Sequence, residues 1–364
     1  MAKPKKMTAM EKVNMVHRLF PLFKFISGKW FIGQKEIKNI DAFLLQGRVG
    51  AMFDNAQKMI EFKDTFRLAY GDPTGDWPEM PIVTEAKKII KEGEDKKLPL
   101  IPAFIDHKKL QIIHYLLEPN NEYFIIVYGV GGSGKSTFMN VIRQIFEGDT
   151  AAITLKELGE GFRLASAIDK RLIYSTEIDA DRITDTNIKK YVSKEPLQVN
   201  PKNEKPYDSR FQASFIFNCN TPPSINLSDS GLLRRIVYYR MNTKIPEDQR
   251  DPTMNSKIWT KDELMAIVVK ALKTDIKHLY DDFEKDTRMG LIERDTVYRY
   301  KDENTYQGYR FACQNEGFKP YNRENWEAVR RLLKEWGVIK EKEDSGKKEN
   351  ASSIWKNFEE GSNG

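Results

Sequence analysis

Between residues 104 and 240 the chain alternates short apolar runs with stretches whose apolar residues recur at three- and four-residue steps. Leu110, Ile113, Leu116 and Leu117 follow the helical spacing and predict a helix from Phe104 to about Leu117, ended by Pro119. Residues 123–128 form an apolar run and predict a buried strand. Phe138, Val141, Ile142 and Ile145 make the next helical stripe, which Gly148 closes. Arg171–Asp179 reads as a short apolar strand ending in acids, and Ile188 to about Ser193 as a short helix. Pro196–Tyr207 places β-forming residues on either side of a polar turn. Ser214–Asn220 is a second buried strand, stopped by Thr221-Pro222-Pro223. Strands alternating with helices in this way predict a mostly parallel sheet covered by helices, an α/β fold.

The flanks are less regular. Val13, Val16, Leu19 and Phe20 fall at helical spacing, whereas the 71–81 stretch, with Gly71, Pro73, Gly75, Pro78 and Pro81, reads as a loop. The lysine-rich run Lys87–Lys97, with acids interleaved, reads as a hydrated face ending in a linker. A helical stretch is predicted at about 261–280. From about residue 291 the pattern suggests a separate small unit. A helix ends with Tyr306–Cys313, Gly317–Pro320 turns, and a second helix carries Trp326, Val329, Leu332, Leu333 and Trp336 on one face. A strand then starts at Gly337, and Lys340–Asn350 forms a polar wing. This pattern suggests a winged helix with Arg323, Arg330 and Lys334 available for phosphates; an α/β cap packed on the core fits it too. The predicted units are 1–100 (mixed and helical, a collar or oligomerisation region), 101–245 (the core), 246–290 (its helical extension) and 291–364.

Composition narrows the setting more than the activity. A chain of 364 residues has room for two or three domains. The formal net charge of +6 permits nucleic-acid binding without establishing it. Two cysteines, Cys219 and Cys313, form neither a disulfide framework nor a zinc-ribbon spacing and suit a reducing compartment. The N-terminal sequence lacks the apolar core of a signal peptide, and no uncharged run approaches the roughly 18 residues that cross a bilayer. The chain therefore reads as a soluble protein of the host-cell cytoplasm, with no membrane partner. None of the four histidines forms a His-x-His pair, which excludes a metal-dependent nicking site of that kind.

The chemistry starts after the run at 123–128. Gly129-x4-Gly134-Lys135-Ser136 is a phosphate-binding loop between a strand and a helix. Gly129, Gly131, Gly132, Ser133 and Gly134 let the backbone wrap phosphates, while Lys135, Ser136 and Thr137 open the helix. Lys135 is expected to contact the β- and γ-phosphates of ATP, and the Ser136 hydroxyl to join the shell of Mg²⁺. Glu177 and Asp179 share one face of an extended chain and are the candidate metal and water-polarising carboxylates. Asn220, emerging from its strand, can donate to a γ-phosphate and accept from water. Arg234 and Arg235 supply guanidinium groups for the transition state. Lys202 and Lys205, near a hairpin tip, suit DNA phosphate contacts. Taken singly, a strand-end acid, an Asn before prolines, an Arg doublet or hairpin lysines are ordinary surface features; their order around one phosphate loop gives them weight.

Together, residues 104–245 resemble the superfamily 3 helicases, and within them the phage and poxvirus primase-helicase type. The carrying features are the loop at 129–136, Glu177, Ile188–Val199, the hairpin through Lys202, Asn220-Thr-Pro-Pro, and Asp229-x-Gly231-x-x-Arg234-Arg235. The resemblance implies an AAA+-like P-loop ATPase assembling as a ring, usually a hexamer, with Arg235 or Arg234 acting on a neighbour's nucleotide. It also implies hairpins lining a channel and tracking single-stranded or forked DNA, and a replication primase or polymerase as a partner. The chain departs from the pattern in having a single clear acid at the carboxylate motif and a Pro222-Pro223 doublet. A DNA-binding ATPase for origin melting or loading, and a phosphate-loop kinase of a small molecule, remain alternatives to the replicative DNA helicase.

Overall fold

A computed structural model describes residues 9–20, 23–26, 29–32, 35–44, 56–70, 79–118, 122–154, 157, 167, 170–175, 185–199, 207–210 and 212–339. Its centre is a five-stranded sheet made of β4 (Phe124–Tyr128), β5 (Thr150–Ala152), β6 (Leu172–Ser175), β9 (Ser214–Cys219) and β10 (Ile236–Arg240). The strand order is β10-β4-β9-β6-β5 and every pairing is parallel. This is the α/β core expected from the alternation, a P-loop-like arrangement with helices on both faces.

Period-two alternation divides β4 cleanly between the two sides. Phe124, Ile126 and Tyr128 enter one core with Phe215, Phe217, Ile236 and Tyr238. Ile125 and Val127 enter the other with Ile216, Val237 and Tyr239. Because both faces are covered, β4 and β9 are buried along their whole lengths; β4 is apolar throughout, and β9 is apolar apart from buried Ser214 and Asn218.

The second core is completed by α4 (Pro81–Glu92), α5 (His107–Leu117), α6 (Lys135–Ile145) and α9 (Lys261–Leu272). Asp106 caps α5 by accepting from Lys109 N at 2.9 Å, and Thr260 and Glu263 form a reciprocal capping box on α9. The lysine-rich run forms the hydrated face expected of it: residues 87–92 lie in α4, an amphipathic helix with Val83 and Ala86 buried against α9 and Lys87, Lys88 and Lys91 exposed. Its lysines occupy the outer face, so their charge hid the stripe. The helix expected over 261–280 ends at Leu272, and a new one, α10 (Leu279–Asp282), starts after the turn.

The first core continues into the C-terminal helices. Leu291, Val297, Tyr309, Cys313, Trp326, Val329 and Leu333 pack in the same cluster as Phe124 and Phe217. The residues after 291 thus pack on the sheet, as the reading of a cap packed on the core expects. Helix α13 starts at Tyr306, capped by Thr305, and runs to Asn315; α14 spans Arg323–Glu335. The strand expected from Gly337 does not form through Ile339. Gly337, at φ 73°, turns the chain so that Val338 and Ile339 donate back to the Leu333 carbonyl. The expected wing, 340–350, lies outside the described residues. Arg330, expected to face phosphates, is buried and donates to the carbonyls of Lys301 and Glu303 at 3.1 and 2.7 Å.

Toward the N-terminus, α1 (Ala9–Leu19), α2 (Ile40–Leu44) and α3 (Ala56–Tyr70) pack with a three-stranded antiparallel sheet, β1 (Phe23–Ile26), β2 (Lys29–Ile32) and β3 (Lys35–Glu36). Val13, Val16, Phe23, Phe25, Trp30, Phe62 and Phe66 form its own core. The region is helical as expected, but these short strands were not anticipated. Buried Lys29 ties it to the central sheet through an ion pair with Asp149. The expected 71–81 loop falls mostly on residues outside those described.

Candidate functional site

The glycine loop leaves the carboxyl end of β4, where parallel sheets bind ligands. Gly129, Gly132 and Gly134 have φ of 140°, 79° and 89°, conformations that L side chains rarely adopt. At Gly129 a Cβ would also collide with the Met241 carbonyl. The loop therefore needs these glycines for its shape. Gly134 then opens α6, whose first N–H groups have no partner within the helix.

Lys135 is 8% exposed and folds back onto its loop: Nζ donates to the Gly129 and Val130 carbonyls, both at 2.8 Å. Its ammonium pairs with no carboxylate among the described residues. Burial lowers its pKa, and burial likewise pushes the nearby Cys219 thiol up to about 12. Ser133 Oγ is buried with no hydrogen-bond partner among the described residues. A cation short of an anion, beside an orphaned hydroxyl and open helix N–H groups, fits a bound phosphate chain. Ser136 is exposed, and Thr137 Oγ1 donates to Asn255 Oδ1 at 2.6 Å.

Register brings Asn220 to the same edge. Cys219 pairs with Tyr128, so Asn220 and Gly129 are the first residues beyond the ends of adjacent strands. Asn220 is exposed there, while Pro222 and Pro223 are buried. Glu177, Asp179, Lys202 and Lys205 lie outside the described residues. The elements that lead to them are present: β6 before the two acids, and antiparallel β7 (Pro196–Val199) and β8 (Tyr207–Arg210) on either side of the lysines.

The arginine doublet is divided in character. Arg235 donates to the Gly231 carbonyl at 2.7 Å and to Ser193 Oγ at 3.1 Å. Arg234 is exposed. Asp229 caps the short helix α8 (Ser230–Leu233), accepting from Leu232 N at 3.1 Å, and pairs with Lys189 of α7 (Asp185–Val192). Burial would raise the Asp229 pKa, but Lys189 and the helix N–H groups outweigh it and hold the carboxyl below its usual range.

Sequence reasoning missed one charged group at the loop. Arg250 places its guanidinium against Gly132: a Cβ there would stand 2.9 Å from Nη2. Nothing in the local sequence, Glu247-Asp-Gln-Arg250, marks it, because its position depends on how the chain returns after β10.

Residues 127–235, from the end of β4 to the start of β10, match DUF5906, a family of unknown function. No curated protein matches the sequence. Among solved structures, the chain is similar to the C-terminal region of NrS-1 in an A-form apo state, at 16% identity and a TM-score of 0.48, covering 90% of this chain and 88% of that one. A second apo structure of that region, residues 305–718, gives 16% identity and a TM-score of 0.48 over 93% and 90% of the two chains. Among the described residues, no helix is long and apolar enough to cross a membrane.

Proposed function

We propose that this chain is an ATP-driven DNA helicase of a phage, virus or mobile element, working in replication as a ring of identical subunits. The carrying observation is Lys135, a buried ammonium held by two loop carbonyls with no carboxylate partner among the described residues. In this reading Lys135 and the loop N–H groups bind the phosphates, and Lys135 exchanges its carbonyl partners for phosphate oxygens. Ser136, Glu177 and Asp179 hold Mg²⁺, which neutralises developing charge. Glu177 polarises the attacking water, and Asn220, one residue beyond Cys219, orients it. Arg234 or Arg235 reaches the nucleotide of the adjoining subunit, a contact worth roughly 10³–10⁵ in rate where it operates.

The β7–β8 hairpin supports the coupling to DNA. Its arms pair over four positions, from Pro196 with Arg210 to Val199 with Tyr207, and Lys202 and Lys205 lie in the connection. A hairpin with a basic tip suits sequence-independent tracking of one strand.

The test is separation of a forked DNA duplex with ATP. Wild type unwinds; Lys135→Ala does neither hydrolysis nor unwinding; Lys202→Ala hydrolyses at the basal rate and fails to unwind. A monomer that phosphorylates a small molecule and leaves the fork intact would overturn the proposal.

A further inference from the structure

The segment leaving β10 follows the glycine loop instead of turning away. Met241 N donates to the Tyr128 carbonyl at 2.7 Å, and Ile245 N to the Gly132 carbonyl at 3.0 Å. Ile245 Cδ1 stands 3.4 Å from where a Cβ on Gly134 would be. Farther along, Asn255 accepts from Thr137, and the Lys257 carbonyl accepts from Asn140 Nδ2 at 2.9 Å and Gln144 Nε2 at 2.8 Å. From Met241 to Lys257 the chain is thus bonded successively to the loop and to three turns of α6.

Arg250 sits midway along this segment. Its Nε donates to the Ile245 carbonyl at 2.8 Å, and Ile245 is itself bonded to Gly132. That arrangement fixes the guanidinium over the loop, with Nη2 2.9 Å and Cζ 3.3 Å from the position of a Gly132 Cβ. Among the described residues its one acidic partner is Glu247, 3.9 Å away with its side chain 85% exposed. An exposed pair of that kind contributes little and is readily given up for a better anion.

We propose that Arg250 is a second phosphate-binding cation of the nucleotide site, supplied by the same chain from the segment after β10. This inference rests on the nucleotide reading above. A planar guanidinium with one nitrogen already anchored presents its remaining N–H groups in a fixed fork that matches phosphate oxygens. Because the anchor is made before ligand arrives, little side-chain freedom is lost on binding. The ligand class is a nucleoside di- or triphosphate, recognised here through its phosphates and not its base.

Binding is read by titrating a fluorescent ATP analogue into the full chain, with tripolyphosphate as a competitor lacking base and sugar. Arg250→Ala and Arg250→Gln should each weaken both ligands about tenfold or more, with ligand-free melting close to wild type. Glutamine keeps a donor for the Ile245 carbonyl without the charge. Wild-type binding by Arg250→Gln would make Arg250 a brace for the segment and overturn the proposal. So would wild-type binding by Arg250→Ala, or a loss for the analogue that spares tripolyphosphate. If wild type itself binds neither ligand, the nucleotide reading fails and the inference with it, a result separable from failure of Arg250 alone.

Discussion

Arg235 is fastened to Ser193: its Nη2 lies 3.1 Å from the hydroxyl, joining the turn before β10 to the turn after α7. With Nη1 on the Gly231 carbonyl, this guanidinium already serves its own subunit. Arg234 is exposed beside it, and in the proposed ring it is therefore the member of the doublet assigned to the neighbouring nucleotide. Arg234→Ala is expected to lower ATP hydrolysis at least tenfold while leaving the melting temperature unchanged. Arg235→Ala is expected to destabilise the fold by about 1.5–3 kcal/mol, the usual range for hydrogen bonds to a charged group. Hydrolysis by Arg234→Ala subunits mixed with Glu177→Gln subunits checks action between subunits, since some mixed interfaces regain both groups. Undiminished hydrolysis by Arg234→Ala would contradict the assignment.

Lys135 carries a cost in the absence of ligand. Burial depresses its pKa, so the unfolded chain binds this proton more tightly than the folded one. The group therefore opposes folding at neutral pH, and the penalty fades as pH rises through the folded pKa. Lys135→Met should melt no lower than wild type in the absence of nucleotide. Added ATP should raise the melting temperature of wild type and not that of the variant. Calorimetry with and without ATP checks both halves.

Much of this site was legible because its determinants are local. Gly129, Gly132 and Gly134 stand where backbone conformation demands glycine, and β4 and most of β9 are apolar because helices cover both faces. Asn220 was legible as the residue after a buried strand. What escaped depends on tertiary return. Arg250 reaches Gly132 through a segment without periodicity, and Arg330 looks like a surface cation until Lys301 and Glu303 fold over it. The lysines of α4 masked a stripe whose buried members include only Val83 and Ala86. Strands β1 to β3 are two to four residues long, too short for alternation to declare itself.

Gly290 shows how closely α11 (Glu284–Ile292) lies on β10. A Cβ there would stand 2.5 Å from the ring of Tyr238, which is fully buried. Alanine improves helix propensity by about 1 kcal/mol, but overpacking a closed core costs about 1–3 kcal/mol. A rigid ring with sheet behind it leaves little room to yield, so overpacking should win. Gly290→Ala is expected to lower stability in urea unfolding; a gain would mean that the helix lifts freely from the sheet.

Asp295 supplies a pH dependence of unusual sign. It caps α12 (Thr296–Arg299), accepting from Val297 N at 2.7 Å, Tyr298 N at 3.1 Å and the Tyr321 hydroxyl at 2.9 Å. Burial nevertheless outweighs these bonds and raises its pKa from 3.8 to about 6. Between those values the folded chain holds a proton that the unfolded chain has released. This group's contribution to stability therefore increases as pH falls from about 6 toward 4. Unfolding of wild type and Asp295→Asn across that range should show wild type gaining relative to the variant on acidification. A constant difference between the two would contradict the account.

The central claim, a nucleotide loop coupled to DNA, is tested most directly by steady-state ATP hydrolysis with and without single-stranded DNA. The account predicts hydrolysis that DNA accelerates and that Lys135→Ala abolishes under both conditions. Hydrolysis indifferent to DNA, or surviving in Lys135→Ala, would contradict it.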